Sequence, residues 1–127
     1  MIKMEFVGLL SKGKGTWGQV IGLIKHEEWE KIIIVGDSFA KKRIVSWDLQ
    51  KTINKNIEFV EVDFSQKIND CIEEIKKKLK NKIKGVEVAL NIASGDGKEH
   101  MALISALINL PVGIKFVVLT KDGVRFI

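Results

Sequence analysis

The stretch KIIIVGD, residues 31–37, decides the fold. Ile32 to Val35 form an unbroken β-branched run, closed by a Gly36–Asp37 break. A strand with one wet face alternates apolar and polar residues. This one does not, so both of its faces are buried, as in a parallel sheet covered by helices on each side. Comparable segments occur along the chain: MEFVGLL (Met4 to Leu10), IEFVEVD (Ile57 to Asp63), VEVALNI (Val86 to Ile92) and IKFVVL (Ile114 to Leu119) all read as strands.

Helical patterns fill the intervals. The first runs from about Thr16, an N-cap residue type, to about Trp29, with Val20, Ile21, Leu23 and Ile24 on its apolar face. The second opens at Asp37 or Ser38 and carries Phe39, Ala40, Ile44, Val45 and Leu49. The third begins at Ser65, and Ile68, Ile72, Ile75, Leu79 and Ile83 recur at helical spacing. The fourth spans about Gly97 to Asn109 and stops before Pro111, which cannot continue a helix. At the end, TKDGVRFI places a hairpin turn at Asp122–Gly123 and sends Val124 to Ile127 back antiparallel. The expected fold class is therefore α/β: a Rossmann-like, doubly wound, mostly parallel sheet of order 3-2-1-4-5-6 with an antiparallel last strand, in a single domain over residues 1–127.

Composition narrows the function classes. A chain of 127 residues, 46% hydrophobic and 29% charged, has the size and balance of one globular domain. No apolar run approaches the roughly 20 residues that span a bilayer, and MIKMEFVGLL makes a poor signal peptide, so a cytoplasmic location is expected. Cys71 is the only cysteine, which excludes an intrachain disulfide and a thiolate cluster. The net charge of +5 invites a nucleic-acid reading. Much of the lysine, however, lies in KKKLKNKIK (Lys76 to Lys84) at a helix end, where cations suit the dipole and solvate an outer face. Direct binding of DNA or RNA is not expected. His26 and His100 are the only histidines and form no zinc constellation, so neither metal nor cofactor is expected.

In an open α/β sheet the ligand crevice forms at the carboxyl ends of the strands, where the strand order reverses. Here that point lies between the first and fourth strands. The loops that leave them, SKGKGTWG (Ser11 to Gly18) and NIASGDGKEH (Asn91 to His100), are the glycine-rich, lysine-bearing stretches of the chain. Glycine lets backbone amides approach an anion, a helix N-terminus follows each loop, and Lys12, Lys14 and Lys98 add positive charge. A phosphate-bearing ligand is the expectation. Gly13, Gly15 and Gly18 also satisfy the G-x-G-x-x-G dinucleotide pattern, with Asp37 at the distance of a ribose-binding acid, which keeps a nicotinamide-dinucleotide reading open. The nucleoside-triphosphate loop fails: after Gly8, Gly13 and Lys14, the place of the magnesium-binding hydroxyl is held by Gly15.

The segment VALNIASGDGKEHMALISALINLPVGIKFVVL, with Asn91, Ser94, Gly95 and Lys98 in order and spacing, resembles the second half of CRISPR-associated Rossmann fold (CARF) domains. Asp96 stands where that family often has its second glycine, and Gly97 follows. The resemblance implies a sensor of type III CRISPR antiviral defence, standing alone or belonging to a longer effector protein, that binds a cyclic oligoadenylate across a homodimer. It implies that Lys98 and the amides of Gly95, Asp96 and Gly97 hold phosphate and that Ser94 and Asn91 bond ribose or phosphate oxygens. From the first loop it offers Ser11, Lys12, Lys14 and Thr16 as ligand contacts, with Trp17 stacking on adenine or packing in the core. Some relatives cleave the cyclic ligand without metal; for such a ring nuclease Ser11 and Lys98 would be the catalytic pair. The fourth helix, His100 to Leu110, is apolar almost all round and is the expected homodimer surface.

Overall fold

The computed structural model describes residues 2–12, 17–46 and 55–127. The elements run β1 (Ile2–Leu10), α1 (Trp17–His26), β2 (Trp29–Gly36), α2 (Ser38–Ser46), β3 (Ile57–Glu61), α3 (Ile68–Leu79), β4 (Glu87–Asn91), α4 (Gly97–Asn109), β5 (Gly113–Thr120) and β6 (Gly123–Phe126). The strands form a six-stranded sheet in the order β3-β2-β1-β4-β5-β6. All pairings are parallel except β5 with β6. This is the Rossmann-like, doubly wound arrangement expected from the alternation of elements.

The β-branched run of β2 explains the layering. Ile32 and Ile34 enter one core with Phe6, Leu10, Val20, Leu23 and Ile24, beneath α1 and α2. Ile33 and Val35 enter the other with Val7, Leu9, Cys71, Ile75, Leu103 and Leu107, beneath α3 and α4. Side chains of a strand point alternately to opposite faces, so a strand in the middle of two helical layers must be apolar throughout.

Several boundaries shift for physical reasons. α1 ends at His26 rather than near Trp29; the Lys55 ammonium takes up the carbonyls of Ile24 and Glu27, and Trp29 opens β2. α3 begins at Ile68 rather than Ser65, because the Asp63 carboxylate accepts both the amide and the hydroxyl of Ser65 and holds a turn there. In the final hairpin Thr120 pairs with Gly123, so Lys121 and Asp122 form the turn and Gly123 sits in the left-handed region at φ 109° as the first residue of β6. The Thr120 hydroxyl closes that turn, accepting from Asp122 N–H and donating to the Gly123 carbonyl. Leu49, assigned to the second helix, lies outside the described residues.

α4 is covered on one side only. Ala102, Leu103, Ala106 and Leu107 are buried against the sheet and α3, whereas Met101 and Ile108 remain 57% and 60% exposed. Ile104 and Ile108 continue into a shallow apolar groove with Pro111, Val112, Ile114 and Phe116. No helix among the described residues is long and apolar enough to cross a membrane.

The end of β2 is packed so closely that only glycine fits. A Cβ on Gly36 would stand 2.8 Å from the Leu10 carbonyl oxygen and 2.9 Å from the Ala40 Cβ, neither of which can swing away. Gly36→Ala should therefore destabilise the fold by about 1–3 kcal/mol. Urea unfolding followed by circular dichroism checks this; an unchanged midpoint would contradict the packing argument.

Candidate functional site

β1 and β4 are adjacent and parallel, with Gly8 opposite Asn91, so their carboxyl ends deliver Ser11 and Ala93 to the same edge of the sheet. Between them opens a crevice of about 960 Å³, at the upper end of the volumes that hold small-molecule ligands. Its walls come from the carboxyl ends of four strands and the segments that follow them: Ser11 and Lys12 at β1, Asp37 and Ser38 at β2, Glu61 to Ser65 at β3, and Ala93, Gly95, Asp96 and Glu99 at β4. The crevice stands where the reversal of strand order requires it.

The two central loops are tied together. Ser11 N–H donates to Ser94 Oγ at 2.9 Å, and Ser11 Oγ–H donates to Glu99 Oε2 at 3.1 Å. Ser94 is fully buried, so its role is to hold Ser11 rather than to meet a ligand. Asn91 is 2% exposed and equally occupied: Nδ2 donates to the Val117 carbonyl, and Oδ1 accepts from Ala93 N–H and turns the chain out of β4. Gly95 then adopts φ 105°, the left-handed region that disfavours side chains, and a Cβ there would collide with Leu9 Cδ2 at 2.6 Å. His100 Nε2–H donates to the Ser94 carbonyl.

A capping box starts α4. Asp96 Oδ1 accepts from Glu99 N–H, and Glu99 Oε1 accepts from Asp96 N–H. Glu99 is 7% exposed and faces the crevice. It thus serves two partners, the helix N-terminus with one oxygen and the Ser11 hydroxyl with the other.

Other expected contacts lie elsewhere. Lys98 does not face the crevice: its ammonium donates to the carbonyls of Phe64 at 2.9 Å and Gln66 at 2.5 Å, pinning the β3–α3 loop to the start of α4. In this arrangement two carbonyls engage the ammonium that the sequence assigns to phosphate. Trp17 is buried in the α1 core, 5% exposed, with its indole N–H donating to the Ser11 carbonyl at 2.6 Å; of the two roles open to it, the structure places it in packing. Gly97 is exposed at the first position of α4. Gly13, Lys14, Gly15 and Thr16 lie outside the described residues.

The described lining is acidic. Asp37, Glu61, Asp63, Asp96 and Glu99 face Lys12 as the only basic residue. Asp37 caps α2 by accepting Ala40 N–H at 2.9 Å. Hydrogen bonds from the Ser65 hydroxyl and amide hold the Asp63 carboxyl below its usual range. No group of His, Cys, Asp and Glu among the described residues is arranged to hold a metal ion. In and just after α3, Lys76 pairs with Glu73, Lys78 with Glu74 and Lys82 with Glu58.

Glu99 is not among the residues that the sequence singles out. The Asp-x-x-Glu spacing of Asp96 and Glu99 carries the capping-box signal, but the contact with Ser11, 88 residues away, has no local signature. The fold and crevice define a Rossmann-like domain with a ligand-sized cleft at the reversal of strand order. No family model matches the chain, and no curated protein matches its sequence.

Because Lys98 ties the start of α4 to the β3–α3 loop, Lys98→Met should lower stability by about 1.5–3 kcal/mol, the range for hydrogen bonds to a charged group. Equilibrium urea unfolding measures the loss. A midpoint equal to that of the parent protein would mean that the two carbonyl contacts carry nothing.

Proposed function

We propose that the protein is a nucleotide sensor of type III CRISPR antiviral defence, binding a cyclic oligoadenylate across a homodimer formed through α4. The observation that carries the reading is the crevice itself: about 960 Å³ at the edge of the sheet, walled by the segments that follow β1 to β4, with the two that diverge from adjacent β1 and β4 joined through Ser11 and Ser94. That space accommodates a nucleotide portion of a larger ligand. The exposed apolar side of α4, with Met101 exposed and Ile108 lining the groove with Ile114 and Phe116, supports the dimer, because such a surface is relieved by a self-complementary partner. A two-fold ligand suits a two-fold interface.

The charge of the lining divides the ligand. Carboxylates at Asp37, Asp63 and Glu99 suit the hydroxyl and amino groups of a nucleoside, and Lys12 at the lip suits phosphate. Lys98, engaged by the Phe64 and Gln66 carbonyls, is a cation that both sensing and ring cleavage would call on, so cleavage of the labelled ring in the presence of a chelator separates the two readings. The nicotinamide-dinucleotide alternative rests on the Gly13, Gly15 and Gly18 pattern, of which Gly13 and Gly15 lie outside the described residues, and on Asp37, one oxygen of which accepts the cap of α2.

Isothermal titration with cyclic tri-, tetra- and hexa-adenylate, with NAD and ATP as controls, tests the ligand. One cyclic oligoadenylate is expected to bind with a stoichiometry of one ring per two chains. Sedimentation velocity should show a dimer that Ile108→Asp converts to monomer with at least about a tenfold loss of affinity for the ring. Binding of NAD with no response to any cyclic ligand would overturn the proposal.

A further inference from the structure

We propose that Glu99 is a positioning residue that sets the hydrogen-bonding polarity of Ser11, making the switch-point end of the crevice accept a hydroxyl or amino group and reject phosphate. The inference rests on reading the crevice as a nucleotide site and specifies which chemical group meets its inner wall.

A serine hydroxyl has one proton and two lone pairs. In Ser11 that proton is given to Glu99 Oε2 at 3.1 Å, since an oxygen of a carboxylate can only accept. The Ser11 amide proton is given to Ser94 Oγ at 2.9 Å, so the residue has no donor left for a ligand. Glu99 is itself fixed in place, because its other oxygen accepts from Asp96 N–H at 2.8 Å and the side chain is more than nine-tenths buried. What Ser11 and Glu99 present to the crevice is lone pairs and negative charge. A ribose hydroxyl or an exocyclic amine can donate to such a surface. A phosphate oxygen, which can only accept, meets repulsion.

The helix terminus strengthens the case. The N-terminal end of α4 carries the partial positive charge that attracts anions to such places. Here Asp96 and Glu99 already supply negative charge to it through the capping box. An external phosphate would therefore meet two tethered carboxylates at this helix end, with the amides of Asp96 and Glu99 already taken.

Exchanging one atom reverses the polarity. In Glu99→Gln the amide oxygen keeps the bond to Asp96 N–H and preserves the cap, since glutamine serves at this position of a capping box. The amide nitrogen then donates to Ser11 Oγ, which frees the serine proton to point into the crevice. A residue that merely supports the fold would weaken all ligands alike; polarity reversal weakens one class and admits the other.

The experiment titrates adenosine into the wild-type protein, with and without excess inorganic phosphate, and repeats this with Glu99→Gln and Ser11→Ala. Circular dichroism establishes that each variant is folded. The wild type is expected to bind adenosine with no competition from phosphate. Glu99→Gln should bind adenosine about tenfold more weakly and become sensitive to phosphate, whereas Ser11→Ala should weaken adenosine without phosphate sensitivity. If Glu99→Gln fails to fold, Ser11→Ala decides: adenosine affinity equal to wild type overturns the proposal. It is equally overturned if folded wild type does not bind adenosine, if phosphate competes with adenosine in the wild type, or if Glu99→Gln leaves adenosine binding and phosphate response unchanged. Cyclic oligoadenylate binding, titrated in parallel, separates the two ideas. Its absence alongside the expected adenosine pattern sinks the sensor reading and leaves Glu99 in place, and its presence with an inert Glu99→Gln does the reverse.

Discussion

The parallel ladder between β1 and β4, from Glu5 opposite Val88 to Gly8 opposite Asn91, is the constraint on which the rest of the structure depends. β2 and β3 build outward from β1, and β5 and β6 build outward from β4. Right-handed crossovers in opposite directions must lie on opposite faces, and the two cores follow: α1 and α2 over Phe6 and Ile34, α3 and α4 over Val7 and Ile33. The chain therefore leaves β1 and β4 toward opposite sides of the sheet. A gap between the two exits is a consequence of the topology and needs no special sequence to create it.

What that gap contains is decided by side-chain polarity. Buried polar groups must find partners, and at the junction they find each other: Ser94 with the Ser11 amide, Asn91 with Val117 and Ala93, and Glu99 with Ser11 and Asp96. The same need draws Lys98 away, since the turn before α3 leaves the Phe64 and Gln66 carbonyls to be satisfied. The wall of the crevice is thus a hydrogen-bonded unit with few free donors. Its rigidity comes from the satisfaction of these groups rather than from apolar packing alone.

The fold is legible in the sequence because it is written in periodicities that tertiary context reinforces. The Ile32 to Val35 run, the stripe from Ile68 to Leu79 and the Asp122–Gly123 pair each specify local structure, and strand order follows from handedness and connection length. Boundaries are less legible. The end of α1 depends on Lys55, and the start of α3 depends on Asp63 and Ser65, contacts that no periodicity encodes. The place of the crevice can be read from the strand order and the two glycine-rich loops. Its chemistry cannot, because a lysine beside a glycine-rich loop reads as an anion ligand until the carbonyls that capture it are known. Asn91 and Ser94 stand out in the sequence as polar residues at the end of a buried strand, yet their burial makes them the frame that holds Ser11.

The distribution of charge bears on the same point. The chain carries a net charge of +5, while the described lining of the crevice sets Asp37, Glu61, Asp63, Asp96 and Glu99 against Lys12. Net charge acts at long range and draws an anionic ligand toward the protein as a whole. At contact distance the partners are individual groups, and salt screens everything beyond about 10 Å. A basic exterior and an acidic cleft are therefore compatible in one protein, the first acting at a distance and the second at contact. The capping box at α4 takes up the Asp96 and Glu99 amides from within, which leaves fewer donors at this helix end for an anion.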